Sequence, residues 1–237
     1  MATARTSLRR AVKPGTPSFL QRHKFFLLFM YLLFALAIYP YLQNGSLGYL
    51  VFRIVGSAGI FLSLYVISLR RMLLICALVL SIPALVQRIL LPRVDEGFLA
   101  LLAVVLSFAF DVFVVVMIFR RVFTKEQPNS ETIFGALCIY LLVGFCFASV
   151  YAMIATMEPR AFYLDPLANL HSVPDRFDFV YYSFATMTSL GATGMTAASR
   201  EVRSVSVIEA ILGVLYLAVM IARLMGAYRH PSLAARD

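Results

Sequence analysis

Charged residues are scarce in this chain. They make up 14% of its 237 residues, whereas hydrophobic residues make up 61%. A soluble domain averages roughly 25% charged and about 45–50% apolar residues. Because the apolar residues form long blocks, the composition indicates a membrane protein and excludes an ordinary soluble domain. The net charge of +9 comes from basic residues between those blocks and at the chain ends, so membrane topology explains it better than nucleic-acid binding does.

The chain also lacks the residue patterns of most enzymes and metal sites. No zinc-binding spacing, nucleotide-binding loop, catalytic triad or intramembrane acid pair occurs in it, so we expect neither an enzyme nor a resident cofactor. Cys76, Cys138 and Cys146 are scattered through apolar runs, which favours reduced packing residues over a disulfide framework. The basic N-terminus has no small-residue cleavage site after its apolar run, so we expect that run to be a retained helix.

Long apolar segments, in contrast, are abundant. A helix needs about 20 predominantly apolar residues to cross the hydrocarbon core. Six segments fit this requirement: 25–42, 47–69, 72–91, 98–119, 132–157 and 205–228. No internal repeat of the whole unit is present, which disfavours a transporter built from inverted halves. The predicted fold class is therefore an all-α membrane protein with six transmembrane helices.

Basic residues in the short connections determine the predicted orientation. They are concentrated before the first segment, between the second and third, between the fourth and fifth, and after the sixth. Since such loops stay in the cytoplasm, we expect both termini to be cytoplasmic and the long fifth-to-sixth connection to be external. The predicted divisions are a basic N-terminus (1–24), a four-helix membrane domain (25–121), a linker (122–131), a C-terminal membrane domain (132–228) and a cytoplasmic tail (229–237).

The long fifth-to-sixth connection carries the most information about function. A polar, turn-rich stretch (158–175) precedes an apolar stretch (177–187) that is too short to span a membrane. This pattern predicts a re-entrant half-helix with Asp175 as its N-terminal cap. Residues 188–194 follow and are mostly small or hydroxyl-bearing, with two glycines. An extended backbone of this kind is tolerated at membrane depth only where it is buried in protein or lines a water-filled path.

Such an arrangement fits a pore. A half-helix directs its negative C-terminal end toward a cavity and favours a cation there, and the backbone carbonyls that follow can replace an ion's hydration shell. One chain supplies one wall only, so four copies around an axis are needed to close a ring. Spacing alone leaves one alternative, a re-entrant loop that only packs against its neighbours.

The same segment resembles the pore loop of the potassium channel superfamily. In that family threonine-x-threonine-threonine and a valine or leucine precede glycine-tyrosine-glycine-aspartate, and here Thr186-Met187-Thr188-Ser189-Leu190-Gly191 aligns without gaps. Residues 132–142 and 209–219 resemble the outer and inner helices of bacterial six-span relatives, so the resemblance covers 132–226. It implies a pore domain at 132–228 and a homotetramer in the bacterial inner membrane. The implied permeant monovalent cation is potassium, with sodium as the second candidate.

The resemblance assigns the ion-binding selectivity filter to residues 188–194, which are Thr188, Ser189, Leu190, Gly191, Ala192, Thr193 and Gly194. Ala192 replaces the family's tyrosine, and Thr193 replaces its second glycine unless an insertion moves that role to Gly194. Alanine cannot prop the filter from behind, and threonine is poorly suited to a left-handed backbone angle. Three outcomes stay open: a wider, weakly selective filter, a potassium filter of different geometry, and a collapsed filter that something must open.

Residues outside the filter receive roles as well. Gly213 is a candidate gating hinge or lets helices approach closely. Glu209 is expected behind the filter, paired with a pore-helix group that supports it. The first four spans resemble a voltage sensor, but 98–119 contains no basic residue, so we expect little intrinsic voltage dependence. Asp111 is the acid in that span, and we expect a structural hydrogen bond there, with a protonation switch as the alternative.

The function predicted from the sequence is the pore-forming subunit of a passive tetrameric cation channel. Its expected partners are other copies of the chain and membrane lipid, with no nucleic acid, and no metal is expected beyond the permeant cations. The alternative function is a non-conducting membrane subunit or scaffold that retained the pore fold.

Overall fold

The computed structural model describes residues 23–38, 98–124, 130–169, 172–191 and 194–228, together with residue 41 and the short stretches 58–59 and 62–63. This part of the chain is mostly helical. Its elements in chain order are α1 (Lys24–Ile38), α2 (Phe98–Phe123), α3 (Ser130–Met157), β1 (Phe162–Leu164), α4 (Arg176–Met187), β2 (Met195–Ala197) and α5 (Arg200–Tyr228). Of the predicted second span, 47–69, the structure describes residues 58–59 and 62–63, whereas the predicted third span, 72–91, lies outside the described residues.

Two of these helices are long and apolar enough to cross a membrane. They are α3, over Glu131–Met157, and α5, over Arg200–Arg223. Helix α1 has 15 residues and ends at Ile38, two residues before Pro40, because the residue before a proline is disfavoured in a helix. Helix α5 begins five residues earlier than the predicted position 205. The first, fourth, fifth and sixth predicted spans coincide with helices, with ends shifted by a few residues.

Helices α1, α2 and α3 pack around one apolar cluster. The buried members of α1 and α2 recur every three or four residues, so each of these helices contributes one face, whereas those of α3 are one or two residues apart and cover a wider part of its surface. They are Phe25, Leu28 and Leu32 from α1, Phe110, Val114, Ile118 and Val122 from α2, and Ala136, Cys138, Ile139, Leu141 and Leu142 from α3. In a membrane, van der Waals contact between such faces replaces the hydrophobic effect as the source of association.

A second cluster, which contains four buried aromatic rings, joins α3 and α4 to β1. The Phe162 ring meets the Tyr151, Phe179 and Tyr182 rings edge to face, with centroids 5.4 to 5.8 Å apart. Tyr151 and Tyr182 also meet edge to face at 5.0 Å. Edge-to-face ring pairs at these distances contribute interaction energy in addition to that of the apolar area they bury. They therefore fix the orientation of α4 against α3.

Strands β1 and β2 form a two-stranded antiparallel sheet. Phe162 pairs with Ala197, Tyr163 with Thr196, and Leu164 with Met195. The predicted all-α fold class did not include this sheet, because three-residue strands are too short to produce an alternating pattern in the sequence. The pairing has a topological consequence: the chain leaves β1, forms α4, and returns to the same place at β2.

Helix α5 contacts the rest of the chain along one stripe. The residues of the stripe follow alternating three- and four-residue spacing and are Val202, Ser206, Glu209, Gly213, Tyr216, Met220 and Arg223. At its far end, Arg223 Nη2 donates a hydrogen bond to the Val122 carbonyl at 2.9 Å, and the guanidinium lies 4.4 Å from the centroid of the Phe123 ring. Most of the remaining apolar surface of α5 is exposed in the single chain, for example at Val207, Ile211, Val214 and Ile221.

Candidate functional site

The candidate site is the excursion between β1 and β2, and it begins with the N-terminus of α4. The Asp175 carboxylate accepts the N–H groups of Phe177 and Asp178 at 2.7 and 2.9 Å. The Asp178 carboxylate in turn accepts the N–H of Asp175 at 2.8 Å. This reciprocal pattern is a capping box and satisfies backbone donors that the first turn leaves open. The predicted cap at Asp175 is confirmed.

Helix α4 is too short to cross a membrane. Its 12 residues rise about 18 Å, whereas the hydrocarbon core is about 30 Å thick. The chain must therefore reverse or continue in another conformation after Met187. The contacts at the end of the helix show that it reverses.

The reversal is a Schellman motif centred on Ser189. The Leu190 N–H donates to the Ala185 carbonyl at 2.8 Å, and the Ser189 N–H donates to the Thr186 carbonyl at 3.2 Å. These are the two bonds of that motif, which requires a left-handed residue at its turning point. Ser189 fills this position with φ of 57°, although glycine usually does so. A non-glycine residue in this conformation costs about 1 kcal/mol.

The return path ends at Gly194, which is held by the loop after β1. The Gly194 carbonyl accepts the Asp165 N–H at 2.9 Å and the Asn169 Nδ2–H at 2.8 Å. The seven residues 188–194 can extend at most about 25 Å, which is enough to return over the rise of α4. The excursion thus starts from β1 and ends beside the loop that follows β1. The predicted entry of this segment into a membrane stays a prediction.

The predicted filter residues divide into two groups in the structure. Residues 188–191 are exposed in the single chain: Leu190 is 67% exposed, and nothing lies within 4 Å of the place a side chain would occupy at Gly191. Gly191 has φ of 93°, a conformation that glycine adopts freely. Gly194, by contrast, is tied to the loop after β1. Ala192 and Thr193 lie outside the described residues.

Behind α4, a buried carboxylate joins three helices. Glu209 of α5 is fully buried. Its Oε1 accepts the Ser183 hydroxyl of α4 at 2.5 Å, and its Oε2 accepts the Tyr151 hydroxyl of α3 at 2.5 Å. The sequence predicted a partner for Glu209 on the short helix, and Ser183 of α4 is such a partner; a role in supporting a filter stays a prediction. We call Tyr151, Ser183 and Glu209 the carboxylate network.

Further hydroxyl groups extend the carboxylate network. Ser206 of α5 lies 2.9 Å from the Tyr182 hydroxyl oxygen and 3.2 Å from that of Tyr151. The Ser183 hydroxyl also lies 2.8 Å from the Gly144 carbonyl. Sequence reasoning missed Tyr151, Tyr182 and Ser206. The available signal was the presence of hydroxyl side chains in otherwise apolar helices, where such groups usually seek partners on neighbouring helices.

Gly213 lies where α5 crosses the C-terminal end of α4. A Cβ at this position would be 2.6 Å from both the carbonyl oxygen and the Cγ of Met187. Because a backbone oxygen cannot move aside as a flexible side chain can, the crossing requires glycine. Of the two roles considered for Gly213, this geometry accounts for close approach, and the gating hinge stays a prediction.

Asp111 lies on α2, and the structure gives it a half-buried position. Its structural and switching roles both stay predictions. Within the described ranges, no group of three or more His, Cys, Asp or Glu residues is arranged to hold a metal ion.

No family model, curated protein or solved structure matches the chain.

Proposed function

We propose that the chain is the pore-forming subunit of a tetrameric cation channel, integral to the bacterial inner membrane with both termini cytoplasmic. One observation carries the proposal. The short helix α4 enters from one side, reverses at Ser189 and returns to β2, leaving residues 188–191 exposed on the surface of the single chain. A packing loop would be expected to bury those residues, whereas a pore wall has to expose them.

The electrostatics of α4 support a cation as the permeant species. The C-terminal end of a helix carries about half a negative elementary charge, and residues 188–191 follow that end directly. No acidic or basic side chain occurs between Asp178 and Gly194. Backbone and hydroxyl oxygens are therefore the polar groups that residues 188–191 can offer an ion.

The surface of α5 supports assembly from several copies. Its exposed residues include Val207, Ile211 and Val214, which are all more than half exposed in the single chain. Lipid and neighbouring subunits are the two surroundings that suit such a surface. With four copies around one axis, α5 would line the inner surface and the 188–191 segments would converge.

Selectivity depends on the positions that depart from the potassium channel pattern. Ala192 and Thr193 stand where that family has tyrosine and glycine. Potassium is therefore the first ion to test and sodium the second. Residues 98–119 of α2 contain no lysine or arginine. This supports a pore without intrinsic voltage dependence, since a voltage sensor needs several charges that move through the membrane field.

Ion flux into proteoliposomes tests the proposal. Vesicles that contain the purified chain should take up potassium or sodium and exclude chloride. Gly191→Ala should reduce the flux, because alanine is strained at φ of 93° while the added methyl group meets no neighbour. Thr196→Ala, an exposed position on β2, is the matched control and should conduct as the wild type does. Permeation by chloride alone would refute the proposal.

A non-conducting scaffold is the second candidate function, and the replacements at Ala192 and Thr193 are the observation that favours it. The double variant A192Y/T193G restores the family pattern at both positions. If only this variant conducts, the scaffold function gains support. If the wild type conducts as well, the chain is a channel with an unusual filter.

A further inference from the structure

The Ser183 hydroxyl lies between two oxygen atoms that both act as hydrogen-bond acceptors. Its Oγ is 2.5 Å from Oε1 of Glu209 and 2.8 Å from the carbonyl oxygen of Gly144. Both distances are typical of O–H···O hydrogen bonds. A serine hydroxyl has one hydrogen to donate, and a backbone carbonyl has none. One of the two contacts therefore needs a hydrogen that Ser183 does not supply.

Glu209 supplies that hydrogen if it is a carboxylic acid. An ionised carboxylate is an acceptor only, whereas the protonated form has one O–H donor. If Glu209 is ionised, Ser183 donates to it, and no hydrogen lies between Ser183 Oγ and the Gly144 carbonyl. If Glu209 is protonated, Oε1 donates to Ser183 and Ser183 donates to Gly144. A single hydrogen shared by both acceptors would lengthen both contacts, and neither contact is long.

The other oxygen of the Glu209 side chain fits the same assignment. Oε2 lies 2.5 Å from the hydroxyl oxygen of Tyr151, and Tyr151 is the donor in this bond. A carboxylic acid has one oxygen that carries the hydrogen and one that only accepts, so Oε1 donates while Oε2 accepts. One directed chain of hydrogen bonds then runs from Tyr151 through Glu209 and Ser183 to Gly144, and each hydrogen in it is used once.

The hydroxyl groups beside the carboxylate network have other uses for their hydrogens. Ser206 Oγ donates to the Val202 carbonyl at 2.9 Å. The Tyr182 hydroxyl, 2.9 Å from Ser206 Oγ, can then donate to it. The contact between Tyr151 and Ser206 receives no hydrogen in this assignment, and at 3.2 Å it is the longest of these hydroxyl contacts. The contact lengths therefore agree with a proton on Glu209.

The Ser183 bond to Gly144 lies where α3 and α4 approach each other closely. A Cβ at Gly144 would be 2.7 Å from the Phe184 ring, so the backbone of α3 is in direct contact with α4 here. The protonation state of Glu209 decides whether the Ser183 hydrogen is available to this contact. Glu209 of α5 thus acts on the packing of α4 against α3.

We propose that Glu209 is a proton-binding group that is protonated at neutral pH and donates to Ser183, and that its ionisation at higher pH loosens α4 from α3. In the described part of the chain, Tyr151 and Tyr140 of α3 and, through Ser206, Tyr182 of α4 are the titratable side chains that face it. Tyrosine stays neutral below about pH 10. The proposal does not depend on ion conduction, so a failed flux experiment leaves it intact, and its own failure leaves the proposed channel intact.

Infrared spectroscopy of the purified full-length chain in lipid vesicles tests the proton directly, because a carboxylic acid and a carboxylate absorb at different frequencies. At neutral pH, Glu209→Gln should remove a carboxylic acid band and leave the carboxylate bands unchanged. Glu131, which accepts the Phe25 N–H at 3.1 Å, provides the matched control: Glu131→Gln should retain that carboxylic acid band. If Glu209→Gln does not fold, heavy-carbon labelling of the glutamate side chains should shift the same band in the unaltered chain.

A serine variant tests the direction of the bond. Ser183→Ala should shift the carboxylic acid band, because the acid loses the oxygen to which it donates. Ser149→Ala removes a hydroxyl that donates within α3, to the Phe145 carbonyl, and should leave the band in place. Loss of a carboxylate band in Glu209→Gln at neutral pH, or a band that Ser183→Ala does not move, would overturn the proposal.

A pH titration tests the coupling to the helices. The folded state binds a proton that an exposed glutamate releases above about pH 5, so the contribution of Glu209 to stability falls as pH rises. As the carboxylic acid band disappears, amide hydrogen exchange in α4 should become faster in the parent than in Glu209→Gln at the same pH. A parent-to-variant ratio of exchange rates that stays constant while the band disappears would overturn the proposed loosening of α4.

Discussion

Removal of the Glu209 carboxylate is the most informative perturbation of the candidate site. Glu209 accepts one hydroxyl from α3 and one from α4, so Glu209→Ala breaks both bonds at once. Each of the two hydroxyl groups has a second acceptor within reach: Ser206 Oγ for Tyr151 and the Gly144 carbonyl for Ser183. In the variant, the hydroxyl groups of Tyr151 and Ser183 therefore both keep an acceptor, which limits the loss in the free energy of unfolding.

The expected cost follows from two contributions. Hydrogen bonds between membrane helices contribute about 0.6 to 2 kcal/mol each, and two are lost. Deletion of the buried carboxylate also leaves a cavity, which adds about 1 kcal/mol. The free energy of unfolding should fall by about 2–5 kcal/mol in Glu209→Ala. Glu209→Gln keeps the volume and one acceptor oxygen, and its amide can donate to the Tyr151 oxygen, so it should lose less than about 1 kcal/mol.

The buried thiols provide the assay. Cys138 and Cys146 are both buried, so a thiol reagent reaches them only when the helices open. In a Cys76→Ser background, labelling of these two cysteines reports on the stability of the helix packing. Since about 1.4 kcal/mol corresponds to a factor of ten, Glu209→Ala should label about 30-fold faster or more. Glu209→Gln should label nearly as slowly as the parent.

A double-mutant cycle shows whether the carboxylate network is the cause. Ser183→Ala and Glu209→Ala should be non-additive, because each removes the same hydrogen bond. Parent-like labelling in Glu209→Ala would refute the reasoning. Equal losses in the alanine and glutamine variants would show that the charge, rather than the hydrogen bonds, matters.

Three further predictions concern the contacts that hold α4 and α5. Gly213→Ala should destabilise the chain by about 1–3 kcal/mol, because the added methyl group would contact the Met187 carbonyl. Helix propensity alone would favour alanine by about 1 kcal/mol, so thiol labelling that is slower than in the parent would contradict the close approach. Arg223→Lys should speed amide hydrogen exchange at the end of α2, because lysine lacks the planar guanidinium that reaches the Val122 carbonyl; unchanged exchange would argue against that contact. Asp175→Ala should lower the stability of the first turn of α4 by about 1 kcal/mol, and Asp175→Asn should lower it less. The measurement is the hydrogen-exchange rate of the first amides of α4, and equal rates in the two variants would contradict the cap.

Helix positions in the described ranges could be predicted from the sequence, because apolar length is a strong signal. The cap at Asp175 was also predictable, since an aspartate before an apolar run satisfies the first backbone donors. The start of α5 was not. Its first turn contains Arg200, Glu201 and Arg203, so a search for apolar residues begins too late.

The details of the candidate site were less predictable. A left-handed turn is expected at glycine, yet the chain reverses at Ser189, because the bonds of the Schellman motif offset the strain. The sequence predicted that Glu209 has a partner on the short helix, but it did not single out Ser183 as that partner. Tyr151 could not be predicted, because a tyrosine within an apolar helix is equally compatible with a membrane interface, and its partner depends on how α3 and α5 are rotated.

The structure of the assembled protein, determined with potassium and again with sodium, tests the central claim most directly. The account predicts four chains around one axis, with residues 188–191 facing it and ion density between them in at least one of the two salts. An assembly in which residues 188–191 face lipid or another protein surface, with no ion beside them in either salt, would contradict it.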